Sequence, residues 1–272
     1  MIPVAFDYQR VTSVDEALGL LVAHGDEAKL LAGGHSLLPL MKLRLAVPSV
    51  VVDVGRLRDL SYVRDAGDHI AIGALTRHRD LETSELLATQ APILAHVAGL
   101  VGDPQVRHRG TIGGSLAHGD PASDLPAVVL ALGGTLVARG PGGERTIPVQ
   151  SFFEGFLQTA LGADELLTEI RVPRASGGWS YQKFNRRAQD WAIVGVAAVR
   201  NGATSVALVN MGSTPLRASA TEAALASGAA IGDAAAVAAE GTDPSGDLNA
   251  SPDFRRHLAT VLVRRALEET AG

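Results

Sequence analysis

Two adjacent-glycine segments of one shape, eighty residues apart, constrain this chain more than any other feature. The first reads Ala32-Gly33-Gly34-His35-Ser36. The second reads Thr111-Ile112-Gly113-Gly114-Ser115 and runs on as Leu116-Ala117-His118-Gly119-Asp120-Pro121-Ala122-Ser123-Asp124. Each follows an apolar or helical stretch, and each sets a hydroxyl side chain one or two residues after its glycines. Adjacent glycines lack a Cβ, so the backbone can turn tightly and bring its N–H groups close to an anion. A lone Gly-Gly-x-Ser is usually a turn. A matched pair with an extended motif after the second is a stronger signal, and two such loops converging from opposite sides can hold a diphosphate.

The chain has 272 residues, enough for two modest domains or one large one. Hydrophobic residues make up 46% and charged residues 19%, a balance that can bury a sizeable core. Aromatics are only 4%, so that core is built mainly from Ala, Val and Leu. The net charge is −5 and no basic stripe is interleaved with aromatics, which argues against a nucleic-acid partner. There is no cysteine, which excludes disulfides, thiolate zinc sites and cysteine-ligated iron–sulfur clusters within this chain. The N-terminal residues lack the basic region and apolar run of a signal peptide. No stretch approaches the ~18 apolar residues of a spanning helix. The expectation is a cytoplasmic chain, or one tethered to a membrane only through partners.

Periodicity sketches the organisation. Ser13 and Glu16 form a capping box ahead of Val14, Leu18, Leu21 and Val22, which share a helical face, and Gly25 ends that helix. Lys29 to Ala32 reads as a short buried strand running into the first glycine loop, and Ser49 to Val54 as a second strand. Ile70 to Leu75 is a further strand. Leu94, Val97, Ala98 and Val101 recur at helical spacing. Strands follow at Thr135 to Ala138 and Leu166 to Val172, with a hairpin turn at residues 140–144. A boundary falls near Pro173 to Gly178. Beyond it, Trp179 to Asn185, Ile193 to Arg200 and Ser205 to Met211 are three strands, the last two joined by Asn201-Gly202. Two helices follow, one opening at the box Ser219-x-x-Glu222. The other opens at Ser251-Pro252 with a buried stripe of Phe254, Leu258, Val261 and Leu262. The alanine-rich Asp233 to Glu240 is helix-forming.

Several chemistries are missing. There is no G-x-G-x-x-G and no P-loop, which disfavours a nicotinamide-binding Rossmann enzyme. His-x-His and His-Glu-x-x-His spacings are absent. Arg107-His108-Arg109 reads as a solvated loop, His78 between Arg77 and Arg79 as a surface residue, and Asp120 as a turn residue before Pro121.

The run from Ala32 to Leu45 resembles the first flavin loop of the medium subunits of aerobic carbon monoxide dehydrogenase and xanthine dehydrogenase-type molybdenum hydroxylases. Thr111 to Ala127 resembles the second. Tyr181 to Arg187 is similar to the first strand of that family's C-terminal domain, and Thr214 to Ala218 to a later motif. The resemblance covers nearly the whole chain in the same order. It implies an α+β fold: an FAD-binding domain of the vanillyl-alcohol-oxidase-like type over residues 1–175, in two α/β subdomains (about 1–57 and 58–175). A C-terminal domain over 176–272 follows, a three-stranded antiparallel sheet with helices.

The same resemblance implies a site. Backbone N–H groups of Ala32, Gly33, Gly34, His35, Ser36 and Leu37 would hold the FAD diphosphate, helped by the Ser36 hydroxyl. Thr111, Ile112, Gly114 and Ser115 would close on the phosphates and ribityl chain. Asp124 would accept hydrogen bonds from sugar hydroxyls. Val101 would present its backbone to the adenine. Leu167 and Lys183 would lie near the isoalloxazine, the ammonium favouring negative charge there. For Val101 and Leu167, ordinary core packing is an equal reading. A histidine beside such a glycine pair bonds covalently to flavin in some proteins of the wider fold. The molybdenum hydroxylase branch does not generally do so, and non-covalent FAD is expected at His35. No metal site and no catalytic acid or base is expected in this chain.

The missing cysteines then take on meaning. Electrons from a molybdenum centre must cross iron–sulfur clusters that need thiolates. The resemblance therefore implies a large subunit carrying the molybdenum cofactor and a small subunit carrying [2Fe-2S] clusters. These would assemble as a dimer of three-subunit units and deliver electrons through FAD to an external quinone, NAD or oxygen. The substrate (carbon monoxide, an aldehyde, a purine or an N-heterocycle) would bind on the large subunit. Two other readings stand beside this one: a free-standing flavin oxidase or reductase of the same fold, and a scaffold without flavin.

Overall fold

The computed structural model describes residues 2–175 and 177–271. Met1, Ser176 and Gly272, which the expected domain limits include, lie outside the described residues.

The first lobe is a parallel three-stranded sheet. Strands β1 (Asp7–Arg10), β2 (Ala28–Leu31) and β3 (Val50–Asp53) lie in the order β1-β3-β2. Helix α1 (Val14–His24) connects the first two, and the short α2 (Leu37–Lys42) lies between β2 and β3. Ser13 accepts the Glu16 amide at 3.1 Å, as the capping box predicts. The Glu16 carboxylate reaches one residue further back than expected, to the Thr12 amide at 2.7 Å. The helix buries Ala17, Leu18 and Leu21, while Val22 faces solvent. At about 100° per residue the stripe centres on Leu21, with Ala17 as its far flank and Val22 past its edge. Strand β2 is an edge strand, so it is only partly buried.

The second lobe is an antiparallel sheet of order β4-β5-β10-β6-β7, formed by β4 (Val63–Asp65), β5 (Ile70–Gly73), β6 (Thr135–Gly140), β7 (Gly143–Pro148) and β10 (Leu166–Val172). A small hairpin, β8 (Phe153–Gly155) and β9 (Gln158–Thr159), lies beside it. Between β5 and β6 the chain makes α3 (His78–Glu82), α4 (Glu85–Gln90), α5 (Pro92–Gly99), α6 (Pro104–Arg107), α7 (Ile112–His118) and α8 (Asp124–Leu132). Val101 lies past the end of α5 and does not continue its stripe.

The third lobe is antiparallel. Strands β11 (Trp179–Phe184), β12 (Val194–Asn201) and β13 (Ala203–Val209) are joined by a two-residue fourth strand that was not foreseen, β14 (Leu216–Arg217). Helices α9 (Ser219–Ala226), α10 (Ile231–Ala236) and α11 (Pro252–Ala271) follow. Ser219 does not cap α9 with its side chain. Glu222 instead accepts the Val206 amide at 2.7 Å and Arg217 at 2.6 Å, tying the helix to its sheet. The buried face of α11 runs Arg255, Leu258, Ala259, Leu262, Val263, Ala266, Leu267. Phe254 lies one position off that stripe and meets Phe184 edge-on instead.

Strand β12 explains how the lobes join. Alternate side chains leave a strand on opposite faces. Val194, Val196 and Ala198 enter the core under α11, whereas Ala197 and Val199 enter the core that holds α8 and the five-stranded sheet. All nine residues of α8 are buried, as expected of a helix apolar on every side. One apolar cluster therefore runs from Ile72 and Ile170 through Val128 and Val129 to Ala207 and Val209.

Two outcomes follow from this shared core. Calorimetry of the chain should show one cooperative unfolding transition spanning both sides of residue 176, and two resolved transitions would contradict it. Leu125→Ala, at a position 1% exposed, should lower stability by ~2–5 kcal/mol in urea denaturation.

Candidate functional site: two glycine loops and a buried ion pair

The first glycine loop carries the chain from β2 into α2. Gly34 sits at φ +83°, a left-handed value that favours glycine, and its carbonyl accepts the Leu38 amide at 3.1 Å. Among hydrogen bonds between described residues, none takes the N–H of Gly33, Gly34, His35, Ser36 or Leu37 as donor. Five successive uncommitted amides make an arrangement suited to an anion. The Ser36 hydroxyl makes no hydrogen bond to a described residue, and the His35 side chain is exposed.

The second loop is built differently. Thr111 caps α7, its hydroxyl oxygen accepting the Gly114 amide at 3.1 Å. The Ile112 amide donates to Thr76 at 3.1 Å, Gly113 to Ala74 at 2.9 Å and Ser115 to Thr111 at 3.0 Å. The first two hold the loop to the end of β5, and the amides of Gly114 and Ser115 are spent within the loop on Thr111. A side chain at Gly113 would place its Cβ 2.6 Å from the Ala74 carbonyl oxygen. The expectation that both loops offer main-chain amides is therefore corrected: the first offers amides, and the second the partly exposed Ser115 hydroxyl, with Thr111 buried as the cap. Ile112 is corrected as well. It is fully buried and its amide is used, so it belongs to the floor.

The loops do converge. A Cβ on Gly33 would collide with the Arg109 carbonyl oxygen and lie 2.9 Å from the Gly110 Cα. Arg77 locks this contact. Its guanidinium donates to the Arg109 carbonyl and, at 3.2 Å, to the Gly55 carbonyl. No carboxylate among the described residues pairs with it within 4.0 Å. Burial and the neighbouring Arg109 pull its pKa down.

A second cluster lies where α8 meets the third lobe. Lys183 Nζ stands 2.9 Å from one Asp124 oxygen, and Tyr181 donates its hydroxyl hydrogen to the other at 2.6 Å. Both charged side chains are buried, at 8% and 6% exposure. Burial pushes the Asp124 pKa up, and the Lys183 ammonium opposes that shift. Tyr181 is raised well above its ordinary value by burial and the Asp124 carboxylate. Lys183 also donates to the Leu100 carbonyl at 3.4 Å, beside Val101. An open cleft of about 420 Å³ adjoins this edge, lined by Gly102, Asp103 and Val106 on one side and residues 187–190 on the other. Leu167 is a buried core residue at a β-bulge in β10.

Two further expectations need correction. His108 and Arg109 are exposed as expected, but Arg107 is not solvated: its side chain is 14% exposed, pairs with Glu82 at 3.1 Å and donates to the Val101 and Gly102 carbonyls. His78 is not a surface residue but 2% exposed, with Nε2 3.3 Å from the Ser115 hydroxyl oxygen. Its neighbours Arg77 and Arg79 suggested solvent, but the backbone folds its ring onto Gly110. Tyr181 was passed over although it shares a strand face with Lys183, two residues on, a period-two signal that could have found it.

A flavin-type site of this kind on a three-lobed α+β fold defines a class, and the chain belongs to it. Residues 4–175 match the family described as the FAD binding domain in molybdopterin dehydrogenase, and residues 179–270 match the CO dehydrogenase flavoprotein C-terminal domain. The chain is thus an FAD-binding subunit of the oxidoreductase type. It is 43% identical to the carbon monoxide dehydrogenase medium chain of Hydrogenophaga pseudoflava, across 98% of this chain and 97% of that one. It is 37% identical to the caffeine dehydrogenase subunit beta of Pseudomonas sp. strain CBB1, across 100% and 96%. A solved structure of carbon monoxide dehydrogenase from Hydrogenophaga pseudoflava, lacking the Mo-pyranopterin moiety of its molybdenum cofactor, superposes with a TM-score of 0.95. It shares 44% identity and covers 100% of this chain and 99% of that chain. No helix among the described residues is long and apolar enough to cross a membrane.

Two measurements probe the site's electrostatics. Lys183→Met strands the Asp124 carboxylate and should lower stability on the order of 3 kcal/mol, and the double variant with Asp124→Asn should recover most of it. Failure of the second change to rescue the first would refute the pairing. For His78, burial first, then the charges of His35, Arg77 and Arg107, lower the pKa from 6.5 to about 4. The unfolded chain then binds the proton more readily than the folded one. Stability contributed by the neutral ring is complete above about 6.5 and is lost as pH falls toward about 4, at ~1.4 kcal/mol per unit. Urea denaturation at pH 7, 6 and 5 should show a steeper decline for the parent chain than for His78→Gln.

Proposed function

We propose that this chain carries FAD non-covalently and serves as the electron-transfer subunit of a three-subunit molybdenum hydroxylase of the carbon monoxide dehydrogenase type. The observation that carries the reading is the run of free amides from Gly33 to Leu37, held by backbone contact against the Arg109–Gly110 segment. These residues fit a diphosphate: the donors are uncommitted, and the Arg77 guanidinium beside them has no carboxylate partner among the described residues. FAD held there would supply the redox chemistry between one-electron donors on a partner and an external two-electron acceptor. The chain's own residues bind and orient. The first loop holds the diphosphate, and the Ser115 hydroxyl faces it from the second loop, with Thr111 buried as the cap. The buried Asp124–Lys183 pair fixes the seam near which the sugar and ring portions would lie, Val101 borders the adenine end, and Leu167 backs the site from the core.

The remaining assignments rest on the family resemblance and the composition. A chain without cysteine cannot ligate iron–sulfur clusters through thiolates. The clusters are therefore assigned to a small partner subunit and the molybdenum cofactor to a large one, the acceptor being a quinone, NAD or oxygen. The chain is read as two domains, 1–175 and 176–272, acting in the cytoplasm. A free-standing oxidase is disfavoured because the C-terminal portion, poor in aromatics, does not suggest a substrate pocket of its own.

Purification of the chain with its co-expressed partners tests this. The expected result is co-purification with a molybdenum-containing large chain and a cysteine-rich small chain, with one FAD per copy of this chain. Gly33→Ala, which drives a Cβ into the Arg109 backbone, should weaken FAD binding about tenfold or more (at least ~1.4 kcal/mol) while the chain still assembles. A colourless parent complex would refute the proposal.

A further inference from the structure

His78 opens α3, and its amide donates to the Gly110 carbonyl at 3.0 Å beside an antiparallel bridge between Arg77 and Thr111. The ring then lies against Gly110, on the approach to the second glycine loop. A Cβ at Gly110 would come within 2.6 Å of its Cδ2 and 2.7 Å of its Nε2. The side chain is sealed from solvent, and Nδ1 has no hydrogen-bond partner. The other ring nitrogen, Nε2, is 3.3 Å from the Ser115 oxygen.

A neutral imidazole carries one N–H and one lone pair. Orphaned buried N–H groups are rarer than under-satisfied acceptors. The unpartnered Nδ1 therefore bears the lone pair, and the hydrogen sits on Nε2. Nε2–H then donates to the Ser115 oxygen. A hydroxyl that accepts from the ring must aim its own hydrogen elsewhere, and among the described residues the Ser115 hydroxyl has no other partner. Ser115 is only partly buried, so that hydrogen is available to a bound group.

We propose that His78 is a positioning residue: its Nε2–H fixes the Ser115 hydroxyl as a hydrogen-bond donor toward a diphosphate oxygen held between the two glycine loops. The inference rests on the reading of these loops as the FAD site.

The test uses flavin-depleted complex titrated with FAD by fluorescence. His78→Met and Ser115→Ala should each weaken binding about tenfold, and their combination by no more than either alone, because the two act through one hydroxyl. His78→Gln, which returns an N–H donor near the Nε2 position, should bind within about threefold of the parent. Selective 15N labelling of the histidines in the full chain should show a protonated Nε2 and a bare Nδ1 at neutral pH. Additive losses, a glutamine variant as weak as the methionine one, or a protonated Nδ1 would each overturn the positioning role. The labelling decides even where His78→Met fails to assemble. If Gly33→Ala and Ser115→Ala both leave FAD binding unchanged, the flavin reading of the loops fails and the role of His78 falls with it. If they weaken binding and His78→Met does not, only the role of His78 fails.

Discussion

The contact between Gly33 and the Arg109–Gly110 backbone is the constraint on which the rest of the site depends. The two loops belong to different sheets, which also share a core where Leu75 and Leu166 pack with Val50, Val52 and Val54. The linkage closes as a ring. The Ala32 carbonyl backs onto Gly55, where a Cβ would lie 2.8 Å from it. Arg77 spans from the Gly55 carbonyl to the Arg109 carbonyl, and Arg109 backs onto Gly33. Every link ends on main chain, so the geometry is set by backbone and by one planar guanidinium. A lysine could not replace that fork, because a point donor cannot bridge two carbonyls with fixed geometry.

Charge follows the same logic. The buried ionisable groups near the site are neutralised locally: Asp124 by Lys183 and Tyr181, and His78 by staying uncharged. Arg77 differs: its donors go to two carbonyls, and Asp80 and Asp53 act on its charge only from beyond ion-pair distance. A site whose buried acid is paired and whose buried guanidinium bonds only carbonyls favours an anion. That fits a subunit whose redox chemistry resides in its cofactor, with the protein supplying orientation and field.

Much of this was legible in the sequence, and the exceptions share a cause. Local signals read well: the capping of α1, the hairpin at residues 140–144, the Asn201-Gly202 turn and the apolar run of β12 each depend on neighbouring residues alone. The glycine pairs were visible because a steric demand leaves a compositional trace. What failed depended on tertiary contact. His78 looks solvated between two arginines, and only the fold reveals that its ring covers Gly110. Phe254 looks like the first residue of a buried stripe, but Arg255 takes that place by donating to the Ile193 carbonyl and to Asp247 at 2.7 Å. The two glycine motifs are near copies in sequence yet differ in function. Whether an amide is free depends on what lies across from it, and only the second loop has the end of β5 to bond to.

That asymmetry also explains why the third lobe is no appendage. A first loop with free amides grips an anion well only if the opposite wall is rigid. The second loop is rigid because α7 is held to Ala74 and Thr76 and leads into α8, whose every face is buried. Strands β12 and β13 cover one of those faces, and Tyr181 and Lys183 from β11 meet the carboxylate at the first residue of α8. Without the third lobe, α8 would expose an apolar face and Asp124 would lose both of its side-chain partners. The C-terminal sheet thus stiffens the far side of the site from behind, through Lys183, which the family resemblance assigned to the flavin, and Tyr181, which it did not.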